Sequence, residues 1–284
     1  MDSDDEETTQ AVSAMLKTTL LLVALAACKE TGRDTVKPKH ASSKPAPALA
    51  TLHLKPPAKK KKKKIYLTFD DGPNRGTGKV LHIMQEESVP VSFFIVGEHV
   101  FASLGQKQTW DSLMIAQHVE LCNHSYTHAH NHYGAFYRHP GSVVNDFRRS
   151  KDSLQFSNSI CRAPGRNAWR IDTLQFTDLR KSKNALDSLQ QAGFTIMGWD
   201  LEWEYNGKDL CLKSSADEVL RQIDSVFAHR RTRTPECLVL LAHDQVYADA
   251  YDSAELHDFI RKLKQSDEYE LELVSNYPGV KLMP

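Results

Sequence analysis

The stretch KKIYLTFDDGPNRGTG, residues 63–78, places two adjacent carboxylates at the end of a strand pattern. Apolar side chains occupy alternate positions over residues 65–69, where aromatic and β-branched residues are enriched, as is typical of a β-strand. Asp70 and Asp71 follow at once and precede a Gly-Pro pair. Because adjacent ionised carboxylates repel each other, a turn alone would be better served by one Asp or Asn. The pair therefore indicates a site whose chemistry requires two negative charges.

Strand and helix patterns alternate after this stretch. The further predicted strands are residues 89–97, 119–122, 160–162, 194–199, 237–243 and 271–274. The predicted helices are residues 77–87, 111–118, 142–154, 184–191, 215–229 and 254–264. Repeated strand–helix pairs imply an α/β fold with a mostly parallel sheet, either closed or doubly wound. Polar residues follow the strands at their carboxyl ends, which is where barrel enzymes place their chemistry.

Composition and charge narrow the class of protein. The chain has 284 residues, of which 40% are hydrophobic and 25% charged, as is ordinary for a globular protein. The formal net charge is zero, but the charged residues of positions 1–14 are all acidic, and residues 29–64 are strongly basic. The remainder is mildly acidic, which argues against nucleic acid as a partner.

Residues 15–28, MLKTTLLLVALAAC, resemble a bacterial lipoprotein signal. Lys17 forms a short positive region, and the apolar run over residues 20–27 is too short to span a membrane. The run ends in small residues before Cys28, which becomes the lipidated N-terminus in such signals. A plain secretory signal and a buried apolar helix are alternative interpretations. Acidic residues before Met15 do not suit a signal, so we expect translation to begin at Met15.

Residues 28–64 have the composition of a disordered linker. They are rich in Lys, Pro, Ala, Ser and Thr, and cannot bury enough apolar area to offset the entropy of the chain. Lysines 59–64 are expected to be the solvated end of this linker, with contact to an anionic surface as an alternative. The sequence thus predicts a targeting segment over residues 1–27, a linker over 28–64 and a single catalytic domain over 65–284.

Later strand ends carry further candidates for a functional site. His124 and His128 are four residues apart in CNHSYTHAH, a spacing that lets two imidazoles converge on a metal. A His-rich surface loop is an alternative explanation of this segment. The other candidates at strand ends are Arg162, Asp200, Glu202 and His243.

Taken in order, TFDDGP, HSYTH, RAPG, WDLEW and LLAH resemble the motifs of the polysaccharide deacetylases, carbohydrate esterase family 4 with its NodB-homology domain. The resemblance covers about residues 65–245 and implies a distorted (β/α) barrel. Two motifs depart from the family pattern. Gly165 directly follows Pro164, where the family usually has an aromatic residue between them, and Glu202 stands where the family favours Asp.

The resemblance also implies roles for the candidate residues. The implied ligands of one divalent metal ion, usually zinc with cobalt or nickel as alternatives, are Asp71, His124 and His128. Asp70 is the implied general base, and His243 the acid that protonates the departing sugar amine. Arg162 is expected to pair with Asp70 and to hold it ionised.

Other positions carry supporting roles in this scheme. Asp200 is expected to pair with His243 and keep it cationic, with Glu202 as the next candidate. The metal and the backbone N–H that follows Pro164, which belongs to Gly165, are expected to stabilise the oxyanion.

The groove beside the metal depends on the missing aromatic residue. Gly165 is expected to widen a subsite, and its flexibility would let Arg166 swing to the rim and favour an acidic glycan. In the alternative, Trp169 refills the wall. A sugar-stacking platform is a further expectation, with core packing as the alternative for its members Trp169, Trp199 and Trp203.

The motifs predict a metal-dependent hydrolase that removes N-acetyl groups from an N-acetylglucosamine polysaccharide such as chitin oligosaccharide or peptidoglycan. The alternatives are an O-acetyl esterase acting on xylan or another glycan, and an inactive glycan-binding surface lipoprotein. We expect an exported protein of a bacterial cell envelope, anchored in the membrane by lipid at Cys28, with no nucleic acid or obligate protein partner. Four cysteines are expected to be buried free thiols: Cys122, Cys161, Cys211 and Cys237.

Overall fold

The computed structural model describes residues 61–281. The predicted targeting segment and nearly all of the predicted linker lie outside the described residues. Among the described residues, no helix combines the length and the apolar character needed to cross a bilayer.

Ten strands of the described chain form one curled sheet, a half-barrel. The strands are β1 (Lys63–Gly72), β2 (Val91–Ile95), β3 (Val119–Asn123), β4 (Ile160–Cys161), β5 (Ala168–Ile171), β6 (Leu174–Thr177), β7 (Thr195–Ile196), β8 (Leu201–Glu202), β9 (Cys237–His243) and β10 (Tyr269–Glu272). Their order is β6-β5-β7-β4-β3-β2-β1-β9-β8, and β10 pairs with the first half of β1. Only β5 runs antiparallel to its neighbours β6 and β7. The predicted distorted barrel of mostly parallel strands is therefore confirmed.

Helices cover the sheet and supply apolar faces to its core. They are α1 (Thr77–Glu86), α2 (Gly97–Val100), α3 (Leu104–Ile115), α4 (Tyr133–Phe136), α5 (Pro140–Leu154), α6 (Lys183–Gln191), α7 (Ala216–Ala228) and α8 (Ala250–Gln265). The start of α7 is fixed by a capping box between Ser215 and Glu218, and that of α8 by the Asp249 side chain, which accepts two backbone N–H bonds.

Several element bounds differ from the predictions, and local contacts explain those of α3 and β7. Helix α3 begins at Leu104, well before the predicted start, because the Ser103 hydroxyl accepts from the Gln106 N–H at 3.2 Å. Strand β7 has only two residues, since the carbonyls of Met197 and Gly198 that follow it accept hydrogen bonds from a buried guanidinium.

The sequence pattern did not predict the hairpin formed by β5 and β6. Arg170 lies in the middle of β5 and interrupts its apolar pattern, yet the side chain is buried. Its burial is stabilised by Asp187, which lies 2.8 Å from the guanidinium. Arg170 and Asp187 are 17 positions apart in the chain, so no local pattern indicates that Arg170 is buried in a strand.

The four cysteines of the described chain are free thiols, as predicted. Cys211 is exposed, which contradicts its predicted burial.

The register of the sheet brings the candidate residues to one edge. Asp70 on β1 pairs with His243 on β9, and Asn123 at the end of β3 pairs with Cys161 at the end of β4. His124 and Arg162, which follow these last two positions, therefore emerge side by side. Parallel neighbours end at the same edge, so four motifs meet there.

Candidate active site

Asp70 is nearly buried at the end of β1 against the Arg162 guanidinium. Arg162 donates to Asp70 Oδ1 at 2.7 Å and to the Thr68 hydroxyl at 2.9 Å. Its other nitrogens donate to the carbonyls of Met197 at 3.2 Å and Gly198 at 3.0 Å. A buried guanidinium is tolerated only when its donors have acceptors. These contacts hold the cation in one position beside Asp70, as predicted.

Asp71, His124 and His128 bring three ligand atoms together. The His124 Nε2 lies 3.5 Å from Asp71 Oδ1, and the His128 Nε2 lies 3.2 Å from the same oxygen. All three ligand atoms lie within 4.8 Å of one another. Asp71 Oδ1 is buried and receives no well-directed hydrogen bond from the described residues. Two imidazoles and a carboxylate are a ligand set of catalytic zinc sites, so these residues fit a divalent metal ion.

The second ring nitrogen of each imidazole is anchored by an oxygen that only accepts. His124 Nδ1 lies 3.0 Å from the backbone carbonyl of Arg162, and His128 Nδ1 lies 3.2 Å from Asn131 Oδ1. The proton of a neutral ring therefore resides on Nδ1, and the Nε2 lone pair faces Asp71. Such outer contacts fix the tautomer and orientation of metal-binding histidines.

Electrostatics in the triad favour an ionised carboxylate. Burial by itself would raise the pKa of Asp71, but the neighbouring His124 and His128 imidazoles hold that pKa well below its usual value. Burial by itself would lower the pKa of His128, but its contacts with Asp71 raise that pKa by more. The net shift is therefore upward.

The two histidines lie on a tight loop whose backbone is left-handed at several positions. Positive φ angles occur at Ser125, His128, Ala129, His130 and Asn131. Such angles are unfavourable for residues other than glycine, so surrounding contacts must stabilise them. The Asp146 carboxylate on α5 accepts from the N–H groups of Tyr126 at 3.0 Å and Thr127 at 3.2 Å. No motif in the sequence marks Asp146 for this role.

His243 faces Glu202 rather than Asp200, which corrects the predicted pairing. His243 Nδ1 lies 3.9 Å from Glu202 Oε1. The Asp200 carboxylate instead accepts from the backbone N–H groups of Arg233 at 2.7 Å and Val239 at 2.8 Å. Asp200 precedes β8 and lies level with the middle of β9, too far from its carboxyl end. Burial raises the pKa of Glu202, and the His243 charge opposes that shift.

One cavity of about 260 Å³ is lined by the candidate residues Asp70, Asp71, His124, His128, Glu202 and His243. Three aromatic rings contribute to its wall: those of Tyr133, Trp199 and Tyr205. The predicted sugar platform is therefore wrong for Trp169 and Trp203, both of which are fully buried. Trp203 donates to the Ser214 carbonyl at 2.9 Å and packs against Phe259 in the core.

Tyr133 covers Gly165, the position without a side chain after Pro164. A Cβ at Gly165 would lie 3.1 Å from ring atoms of Tyr133, and Gly165 has a φ of +61°. The Tyr133 ring also meets the His128 ring edge to face, with the ring centres 5.7 Å apart. A tyrosine from a distant helix therefore occupies the space that we expected either to be open or to be filled by Trp169.

Arg166 does not extend into this cavity, contrary to the prediction. Its Nε donates to the Ser182 hydroxyl at 2.8 Å, and its terminal nitrogen donates to the Gly165 carbonyl at 2.6 Å. The guanidinium lies over the Tyr137 ring, 5.1 Å from its centre. These contacts hold the cation behind the wall.

Two residues outside the predicted set hold the loop that carries Asp71. Asp244 is fully buried, and its carboxyl group accepts from the Asn74 amide and from the Thr77 hydroxyl, the latter at 2.5 Å. Burial raises the pKa of Asp244 to about 8, although these hydrogen bonds oppose the shift. His99 Nδ1 lies 2.8 Å from the Asp71 carbonyl oxygen. Asp244 could have been suspected from the sequence, because it directly follows the LLAH motif.

Comparison with known proteins shows which family the domain resembles. Residues 58–197 match the family model described as polysaccharide deacetylase. This part of the chain is therefore similar to polysaccharide deacetylases. The matched residues include Asp70, Asp71, His124, His128 and Arg162.

Relatives and solved structures agree with this similarity to polysaccharide deacetylases. A peptidoglycan-N-acetylglucosamine deacetylase of Bacillus cereus is 25% identical over 191 residues, which are 65% of this chain and 61% of that protein. The chain spans about three fifths of the length of the curated relatives it matches.

The fold is shared with solved deacetylases and esterases. The catalytic domain of a peptidoglycan N-acetylglucosamine deacetylase from Eubacterium rectale gives a TM-score of 0.57 at 20% identity, with 80% of this chain and 95% of that chain covered. A family 4 carbohydrate esterase of Streptococcus mutans gives 0.56 at 22% identity, with 75% and 86% covered. These similar proteins are hydrolases, and the structures share the curled half-barrel.

Proposed function

We propose that this protein is a metal-dependent hydrolase that removes acetyl groups from N-acetylglucosamine units of a polysaccharide. The observation that carries the proposal is that one cavity is lined by a metal-type triad, by His243 and by Asp70, which is paired with the buried Arg162. Relatives named peptidoglycan and chitooligosaccharide deacetylases support this substrate class.

Asp71, His124 and His128 would hold the metal. A divalent cation at these ligands supplies Lewis-acid chemistry, in that it polarises a carbonyl and lowers the pKa of a water molecule. The ligand set favours zinc, with cobalt and nickel as alternatives.

Asp70 would act as the general base. It removes a proton from the water whose oxygen bonds to the acetamide carbon. Arg162 is already fixed against this carboxylate, so its positive charge compensates the negative charge in a buried position. The Gly165 N–H would stabilise the negative oxygen of the tetrahedral species.

His243, which also lines the cavity, would act as the general acid. It gives a proton to the sugar nitrogen as the carbon–nitrogen bond breaks, which releases acetate and a free amine. Glu202, 3.9 Å from His243 Nδ1, would stabilise the imidazolium form of the acid.

Acetate release tests this proposal. Wild-type protein is assayed on chitin oligosaccharides, peptidoglycan and acetylxylan, before and after a chelator and after zinc is restored. We expect acetate from an N-acetylated polymer, loss with chelator and recovery with zinc. Release from acetylxylan alone would favour the O-acetyl esterase, and no release from any polymer would favour an inactive glycan-binding protein.

We further propose that the protein is exported and lipid-anchored at Cys28. The support is the short apolar run that ends in small residues before Cys28, and a peptidoglycan substrate would require export. Labelled palmitate should enter the protein in a bacterial host, and Cys28→Ser should abolish labelling. Labelling that persists in Cys28→Ser would contradict the anchor site.

A further inference from the structure

A second cleft, of about 440 Å³, lies beside the catalytic cavity. Its polar lining consists of amides, hydroxyls and one guanidinium, from Asn74, Gln106, Gln245, Ser103, Thr109 and Arg75. Two hydrogen bonds connect the cleft to the active site. Gln245 Nε2 donates to the Tyr205 hydroxyl at 3.0 Å, and Asn74 Nδ2 donates to the Asp71 carbonyl at 3.4 Å.

The backbone that carries Arg75 is held firmly on both sides. The Asn74 N–H donates to the Thr77 hydroxyl at 2.7 Å, and the Gly76 N–H donates to Asn74 Oδ1 at 2.9 Å. Gly76 packs so closely on Asp244 that an added Cβ would lie 1.7 Å from the Asp244 carbonyl oxygen. The loop therefore presents Arg75 at a fixed distance from the metal ligand Asp71.

The Arg75 side chain is the charged feature of this cleft. It is exposed, and it forms no hydrogen bond or ion pair with the described residues. No acidic side chain lines the cleft, whereas the neighbouring catalytic cavity contains four, from Asp70, Asp71, Asp178 and Glu202. Arg75 is therefore placed to attract a carboxylate that a substrate carries outside the catalytic cavity.

Other cations do not fill this role at the cavity wall. Arg162 is buried and committed to Asp70, and Arg166 is bound to Ser182 behind the Tyr133 wall. Arg75 is thus available to a ligand while its loop is fixed, which suits recognition better than a flexible surface lysine would.

We propose that the Arg75 cleft is a subsite for a glycan carboxylate adjacent to the reacting sugar. This subsite rests on the proposed deacetylase function, and it would make acidic glycans better substrates than neutral ones. In peptidoglycan such a carboxylate has two sources, the lactyl group of the sugar and the peptide stems. The amide and hydroxyl side chains of the cleft would bind the sugar hydroxyls beside it.

The test compares wild-type protein with Arg75→Ala, Arg75→Lys and a matched control, Arg148→Ala, which removes an exposed arginine on α5. The substrates are neutral chitin pentamer, intact peptidoglycan, and glycan strands freed of peptide that retain the lactyl carboxylate. The same strands with the carboxylate converted to an amide are the neutral counterpart. Both kcat/KM and the binding constant are measured, the latter by calorimetry.

Arg75→Ala should lower kcat/KM and affinity for the acidic strands about three- to fivefold at low salt, the size typical of an exposed ion pair. The loss should shrink at high salt and be largely absent in Arg75→Lys. For chitin and for the amidated strands, kcat/KM and affinity should be the same in every variant as in wild-type protein. An effect on intact peptidoglycan alone would assign the carboxylate to the peptide stems.

Equal losses on charged and neutral strands, or none on either, would overturn the subsite. Retained activity on chitin in that case would leave the deacetylase proposal standing. If wild-type protein released no acetate at all, the proposed function would fail, while the calorimetric comparison would still decide whether Arg75 binds the carboxylate.

Discussion

Asp70 and His243 occupy paired positions on the adjacent parallel strands β1 and β9. This register places the proposed base and the proposed acid at one edge of the sheet, where both line the cavity. Each side chain has its own partner, because Arg162 contacts Asp70 and Glu202 faces His243. Opposite partner charges suit the opposite proton-transfer roles of the two groups.

Replacing Arg162 with Met should cost both stability and activity. The substitution removes the cation and leaves Asp70 with an uncompensated buried charge, which typically destabilises a protein by about 3–5 kcal/mol. Urea unfolding measures the change. The double variant Asp70→Asn/Arg162→Met should be more stable than Arg162→Met alone, because it removes the unpaired charge. An equal or greater loss in the double variant would contradict this coupling.

His124→Ala and His128→Ala should each abolish stoichiometric zinc binding. Each removes one of three ligands, and two remaining ligands hold zinc weakly. His132→Ala, an exposed histidine of the same segment, is the matched control and should retain the metal. Elemental analysis after dialysis measures the content. Full zinc occupancy in either ligand variant would rule out the assigned triad.

Asn131→Gly should weaken zinc binding by about 10–100-fold, because Asn131 Oδ1 orients the metal-facing ring of His128. Glycine tolerates the left-handed φ of 60° at this position, so the backbone is not strained by the change. Asn131→Asp keeps an oxygen acceptor and should restore most of the affinity. Competition with a chelating dye measures both variants, and wild-type affinity in Asn131→Gly would remove the orienting role.

Asp244 should make the metal-free protein less stable as pH rises. Its pKa is raised from 3.8 to about 8 in the fold, so the folded state binds more protons than the unfolded state between these values. The free energy of unfolding therefore falls as pH rises from about 4 to 8. Asp244→Asn should flatten this dependence in urea titrations. An unchanged slope in the variant would show that Asp244 does not titrate in this window.

Much of the fold and of the site could be predicted from local patterns. Apolar strands and motif residues at strand ends located Asp70, Asp71, His124, Arg162 and His243 at one edge. The choice between two neighbouring acids could not be predicted, because it depends on register. Glu202 pairs with Leu241 near the end of β9, and Asp200 falls short of that edge.

Contacts between distant segments were also beyond the sequence. Tyr133 replaces a missing wall at Gly165, although the two are far apart in the chain and no periodicity connects them. Trp203 belongs to the WDLEW motif but packs in the core against Phe259 of helix α8, and the sequence around Trp203 does not indicate that contact.

Asp70 is proposed to be the base and not a metal ligand. Asp70→Asn preserves the shape of the side chain and removes its ability to take a proton. Turnover of an N-acetylglucosamine oligomer and bound zinc should be measured on the same samples. We predict stoichiometric zinc with kcat lowered by about 10²–10⁴-fold, the range attributed to general base catalysis. Wild-type kcat with zinc still bound would contradict the account.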